Sequence, residues 1–152
     1  MDMHAHGASE PPLWILVFTR DSKIRWLKLL TWGGYNHVKA FAFVPDLDLY
    51  LFYDVAFDRT GIVVAPNTAR TVSGYLADFV RGGDLMAAPK HLAGCGHRLP
   101  PFTGWCVPAM KRLIGLRGSA LRPSALWRDC LKAGGTPLGQ SFLSTAVPAA
   151  RP

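Results

Sequence analysis

Three of the 152 residues could share one chemistry: Cys106, His37 and Asp54. A thiol, an imidazole and a carboxylate supply a nucleophile, its base and the group that orients the base. Cys106 stands in Pro100-Pro101-Phe102-Thr103-Gly104-Trp105-Cys106-Val107-Pro108, directly ahead of the apolar positions Ala109, Leu113, Ile114 and Leu116. That places it at a helix N-terminus, and Pro108 agrees, because the first turn has no use for the missing N–H. The positive end of the helix dipole favours a thiolate, and the free backbone N–H of Cys106 could serve an oxyanion. Alone, a free cysteine reads equally well as a small buried hydrophobe.

The base comes from a hairpin. Residues 36–44 and 49–57 alternate as two strands around the turn Pro45-Asp46-Leu47-Asp48. Val38, Ala40, Ala42 and Val44 line one face of the first strand, and Leu49, Leu51, Tyr53, Val55 and Phe57 line one face of the second. Those apolar faces coincide only when paired residue numbers sum to an odd value, such as with Val44 opposite Leu47 or opposite Leu49. His37, Lys39, Phe41 and Phe43 then share the other face with Tyr50, Phe52, Asp54 and Ala56. His37 lies opposite Asp54 in the first register and diagonal to it in the second, within reach either way. A carboxylate selects an imidazole's tautomer and favours its charged form. On these two residues alone the pair reads as a structural contact at the end of a sheet; Cys106 is what turns it into a candidate triad.

The other cysteines fit less well. Cys130 falls inside a helix near Leu126, Trp127 and Leu131 and reads as core. Cys95, with His91 and His97, places three possible ligands within seven residues, but no CxxC or HxxxH pair supplies a fourth, so no metal site is assigned. Three cysteines, an odd number without a CxxC pair, favour a reducing compartment over a disulfide framework. Trp32, Tyr35 and Trp105, close in sequence to the base and the nucleophile, are candidate cleft residues.

The elements that must position these groups follow from periodicity. Residues 13–19 form a continuous apolar run expected of a buried strand, and residues 21–31 repeat at helical spacing up to Gly33-Gly34. The hairpin is followed by a short strand over residues 62–65 and a helix carrying Val72, Tyr75, Leu76, Phe79 and Val80. A strand over 85–88, a loop over 91–101 and helices over 106–116 and 124–133 complete the order, the last opened by Pro123 and closed by Gly134-Gly135. This predicts an α+β fold with a mainly antiparallel sheet: one domain over residues 13–134, a flexible N-terminus over 1–12 and a loosely held tail over 135–152.

The order of parts, with His37 opening a strand in Gly34-Tyr35-Asn36-His37-Val38, a polar residue on the next strand and Cys106 later at a helix start, resembles the circularly permuted NlpC/P60 branch of the papain-like superfamily. The segment Trp105-Cys106-Val107-Pro108-Ala109-Met110-Lys111-Arg112-Leu113-Ile114-Gly115-Leu116, followed by a Pro-led helix, is similar to small proteins encoded by bacteriophages and prophages. The resemblance covers roughly residues 13–133 and implies a permuted papain-like fold hydrolysing amide, ester or thioester bonds without a cofactor. It makes Cys106 the nucleophile, His37 the base and Asp54 the orienting residue, with peptidoglycan peptides as the family's frequent substrates. Around the nucleophile, Gly-Trp-Cys-Val stands where Phe-Asp-Cys-Ser or Asn-Cys is common.

Composition sets the competing readings. The chain carries 17 Lys and Arg against 10 Asp and Glu, a net charge of +7, with 49% hydrophobic residues. That is too apolar for a disordered chain. No apolar run reaches the roughly 18 residues of a membrane span, and the first residues lack the basic start and apolar stretch of a Sec signal peptide. The bacterial cytoplasm or a virion is the expected location. A catalytically silent scaffold acting as a virion or tail component is the second reading. A nucleic-acid binder is the third: between residues 106 and 134, Lys111, Arg112, Arg117, Arg122, Arg128 and Lys132 oppose Asp129 alone. Without a recognised nucleic-acid motif, a solvated helix face accounts for those charges better.

Overall fold

The computed structural model describes residues 12–20, 34–56, 59–89, 105–139 and 141–142. Six strands carry most of the tertiary contacts: β1 Trp14–Thr19, β2 His37–Val44, β3 Leu49–Val55, β4 Thr60–Pro66, β5 Gly83–Ala87 and β6 Thr136–Leu138. They form one sheet in the order β4-β3-β2-β1-β5-β6, every neighbouring pair antiparallel. Among the described residues three helices accompany them: α1 Ala77–Val80, which continues a π-helical turn over Thr71–Leu76, then α2 Cys106–Leu113 and α3 Pro123–Lys132. The α+β class with an antiparallel sheet is therefore as expected from the sequence. The expected helix over 21–31, the loop over 91–101 and nearly all of the N-terminal segment lie outside the described residues.

The apolar run of β1 is buried on both sides because the sheet is covered on both faces. Leu16, Phe18, Val38, Ala40 and Met86 point into a core closed by Val107 and Met110 of α2 and by Leu126 and Cys130 of α3. Ile15, Val17, Phe41, Phe52 and Leu85 point the other way, against Leu76, Phe79 and Val80. Each fully buried large side chain contributes about 1.5–3 kcal/mol to folding, so the two faces together anchor the strands that carry the hairpin.

Two helix ends close alike. At the end of α2 the Gly115 N–H donates to the Arg112 carbonyl at 3.2 Å and the Leu116 N–H to the Lys111 carbonyl at 2.8 Å. Gly115 takes φ 66°, the left-handed conformation this closure needs, so the helix stops at Leu113 and not at the expected Leu116. Gly134, at φ 93°, closes α3 with the same pair of bonds, from Gly134 to Leu131 and from Gly135 to Cys130. Past that turn the chain pairs with β5 as β6, through Ala87↔Thr136 to Leu85↔Leu138. The segment expected to leave the domain at residue 135 thus begins with a strand at the sheet edge, where Pro137 is tolerated.

Candidate active site

The hairpin register is Val44↔Leu49 through Ala40↔Tyr53, the second of the two odd-sum registers named above. Continued to the strand ends, it sets His37 diagonal to Asp54. There His37 Nε2 and Asp54 Oδ1 lie 2.7 Å apart, with the two side chains 26% and 36% exposed. The ladder between β2 and β3 has ended three residues earlier, at Ala40, so the ring sits at the open end of its strand. Alternation sends Val38 and Ala40 into the core with Cys106, and Phe41 into the opposite one. His37, at the strand end, meets Asp54, and Cys106 is near enough to favour its charged form.

Cys106 begins α2 as the sequence predicts. Trp105 precedes it in extended conformation, φ −128° and ψ 141°, and no side chain caps the helix. The amides of Cys106 and Val107 therefore have no carbonyl within the helix to bond. Pro108 occupies a first-turn position, and the first helical bond runs from the Ala109 N–H to the Trp105 carbonyl at 3.3 Å. The cysteine is 4% exposed, while Trp105 beside it is 38% exposed.

The electrostatics are set by burial against pairing. Burial opposes the charged form of His37, but its interactions with Asp54 and Cys106 outweigh that and hold the imidazole at about 9. Burial likewise raises Asp54, yet the hydrogen bond and charge of His37, followed by the charges of Lys39 and Arg59, pull its carboxyl below the ordinary value. At neutral pH the pair is an imidazolium and a carboxylate. Lys39 is held below its usual range by burial, partly countered by Asp54, and its Nζ stands 4.3 Å from the Phe79 ring centroid. Continued past Ala40↔Tyr53, the register sets Lys39 opposite Asp54, on the face that alternation gave to both, whereas Arg59 follows β3 and was not assigned from the sequence.

The remaining candidates separate. Tyr35 donates its hydroxyl to Asp84 Oδ2 at 2.6 Å, and its backbone N–H to Ser124 Oγ at 3.2 Å. Its ring packs beside those of Phe18 and Trp127 at 5.4 and 5.3 Å, so the side chain ties β5 and α3 together. Trp32 and the group His91, Cys95 and His97 lie outside the described residues. Cys130 is fully buried, and burial followed by the charge of Asp129 pushes its thiol up to about 12, which suits core and not nucleophile. Among the described residues no three His, Cys, Asp or Glu side chains gather as a metal site.

A cavity that the sequence did not reveal lies between β3 and α2. It measures about 330 Å³ and is lined by Tyr53, Val55, Thr60, Ala109, Arg112 and Leu113. Tyr53 and Val55 flank Asp54 on β3, and Ala109 is one helical turn beyond Cys106. The only sequence signal was the stripe 106, 109, 112 and 113 on α2, too short to distinguish a cleft wall from a packed face.

Comparison with protein-family models, curated proteins and solved structures finds no match to the chain. Among the described residues no helix is long and apolar enough to cross a membrane.

Proposed function

We propose that the chain is a cysteine-dependent hydrolase of amide, ester or thioester bonds, with Cys106 as nucleophile, His37 as base and Asp54 as the residue that orients His37. The observation that carries this reading is the His37 ring, hydrogen-bonded to the Asp54 carboxylate at 2.7 Å and near enough to Cys106 for the thiol to favour the charged imidazole. In this mechanism His37 accepts the thiol proton, and the Asp54 carboxylate favours the imidazolium that forms. The sulfur attacks the carbonyl carbon while the Cys106 backbone N–H stabilises the oxyanion. His37 then gives its proton to the leaving group. Water, deprotonated by His37, resolves the acyl-enzyme and regenerates the thiol.

The base on β2 preceding the nucleophile on α2 supports assigning the sheet and helices to a permuted papain-like fold, and with it cell-wall peptides as first substrates to try. Iodoacetamide at pH 6 with peptide mapping tests the site. Cys106 is expected to be alkylated at least tenfold faster than Cys130, and His37→Ala to slow it. Hydrolysis of peptidoglycan, peptide amides or acyl esters is expected to vanish in Cys106→Ala. Equal reactivity of the thiols would refute the activation argument.

One observation favours a second reading, a catalytically silent scaffold in a virion: at 4% exposure, Cys106 offers little surface to a substrate. Turnover of none of these substrates by protein that alkylates slowly at Cys106 would select it.

A further inference from the structure

Strand β4 ends the sheet, and among the described residues no strand pairs with its outer flank. The direction of its backbone groups follows from two hydrogen bonds that bracket the β3–β4 ladder, from the Ala56 N–H to the Arg59 carbonyl at 2.8 Å and from the Asn67 N–H to the Asp48 carbonyl at 3.0 Å. Both belong to the register that runs from Leu49↔Pro66 to Val55↔Thr60, and bonded pairs recur at every second residue, so Gly61, Val63 and Ala65 bond inward to β3. Thr60, Ile62 and Val64 therefore turn their N–H and carbonyl groups outward. Edge strands are ordinarily blunted by charges, bulges or proline. β4 has no charged residue, its register is one for one along its length, and its proline, Pro66, comes last. Both of its faces are apolar: Ile62 and Val64 are 69% and 58% exposed on one. Exposed Val63 lies on the other, opposite Phe52, whose ring centroid is 4.7 Å from that of exposed Tyr75.

We propose that a second copy of this chain pairs antiparallel with β4 about a two-fold axis at Val63, joining the two sheets into one. In this arrangement one self-complementary strip serves both copies. Ile62 exchanges both backbone bonds with Val64 of the second copy, and the Thr60 N–H donates to the carbonyl of its Pro66, which has no N–H to return and ends the ladder. Residues directly opposite share a face, so Ile62 and Val64 of both copies form one apolar cluster, and the two Val63 side chains meet on the other face. Charge places the axis at Val63. Exposed Arg59, just before β4, then comes opposite Asn67 of the second copy, whose side-chain amide donates to the Asp48 carboxylate at 3.0 Å, so a cation meets an acid across the seam. An axis at Ile62 would set Arg59 against Ala65 instead. The seven-residue edge runs about 23 Å, and with side chains on both faces the two copies would bury on the order of 1,000 Å² together, enough for a specific dimer and too little for a permanent one. The axis stands perpendicular to the sheet, so both copies carry α2 on the same side.

Sedimentation of the full-length chain tests the dimer, and cross-linking tests its axis. The wild type is expected to pass from monomer toward dimer over roughly 1–300 μM. Ile62→Lys/Val64→Lys sets lysine against lysine at two symmetric pairs and is expected to raise the dissociation constant at least about tenfold, with far-UV circular dichroism unchanged. In the proposed register Val63 faces its own copy in a non-hydrogen-bonded pair, with Cα atoms about 4.5 Å apart, within disulfide reach. Ile62 lies diagonal to its own copy, beyond the roughly 7 Å limit. Under oxidised glutathione, Val63→Cys is therefore expected to give the intermolecular disulfide at least about tenfold faster than Ile62→Cys, with peptide mapping to separate this bridge from any at the native cysteines. The cross-linking arm decides if the lysine variant does not fold. A monomer at every concentration, a dimer indifferent to both lysines, or equal cross-linking of the two cysteine variants would overturn the proposal. So would a monomer whose Ile62 and Val64 amides are protected from hydrogen exchange, which would assign the edge to a segment of the same chain.

Discussion

Replacing Asp54 by asparagine keeps the side-chain shape while removing the charge 2.7 Å from His37 Nε2. The rise of His37 from 6.5 to about 9 corresponds to about 3 kcal/mol at 1.36 kcal/mol per pH unit, and Asp54 provides the largest favourable part of it. Because the folded value is raised, that stabilisation is full below pH 6.5 and disappears as pH climbs through about 9. Asp54 behaves oppositely: its folded value is depressed, so its contribution is complete above 3.8 and is lost as pH falls below that. Both contributions coexist between about pH 4 and 6.5. Asp54→Asn is therefore expected to lower the His37 titration midpoint by at least about one pH unit and to cost about 1.5–3 kcal/mol at pH 6. The cost should shrink toward pH 10 as the wild-type imidazolium loses its proton. NMR titration of His37 with urea unfolding at both pH values measures each quantity. A wild-type midpoint near 6.5, or a destabilisation independent of pH, would refute the ion-pair argument.

Lys39→Met keeps an unbranched chain against Phe79 and removes a cation near Asp54; the Asp54 carboxyl should titrate closer to 3.8, with stability within about 1 kcal/mol of wild type, by NMR titration and urea unfolding. Leu126→Ala empties a fully buried position between α3 and the sheet and should cost about 2–5 kcal/mol in urea unfolding. Gly83→Ala would bring a Cβ within 2.6 Å of Val17 Cγ1 and 3.4 Å of the Phe18 carbonyl oxygen, inside a core that cannot yield, and should lower stability by about 1–3 kcal/mol in the same assay.

The strands were legible because their period of two is a local property, and the His37–Asp54 contact because that period fixes which residues share a face and the short turn keeps the pairing close to Val44 opposite Leu47 or Leu49. The helix start at Cys106 was legible from Pro108 and the apolar positions behind it. Other features depend on information that spacing does not carry. A single π-helical turn at Thr71–Leu76 has nearly the apolar spacing of an α-helix, and the Ser73 hydroxyl bonding back to the Ala69 carbonyl at 2.7 Å leaves no mark in the pattern. Strand β6 has three residues, one of them Pro137, and exists because β5 offers it an edge. Arg112 read as one charge in a basic stretch; the cavity beside it arises from β3 meeting α2, partners more than fifty residues apart.

β1 lies between β2 and β5, and its second neighbour begins 64 residues after it ends. A ribosome adding about 5–20 residues per second needs roughly 3–13 s to deliver that partner. Throughout this interval Trp14-Ile15-Leu16-Val17-Phe18-Thr19, an uncharged segment with high strand propensity, presents one bare flank to its surroundings. Yield on overexpression should accordingly be governed by the traffic of unfinished polypeptides, responding to holdase chaperones and slower growth more than to the thermal resistance of the finished molecule.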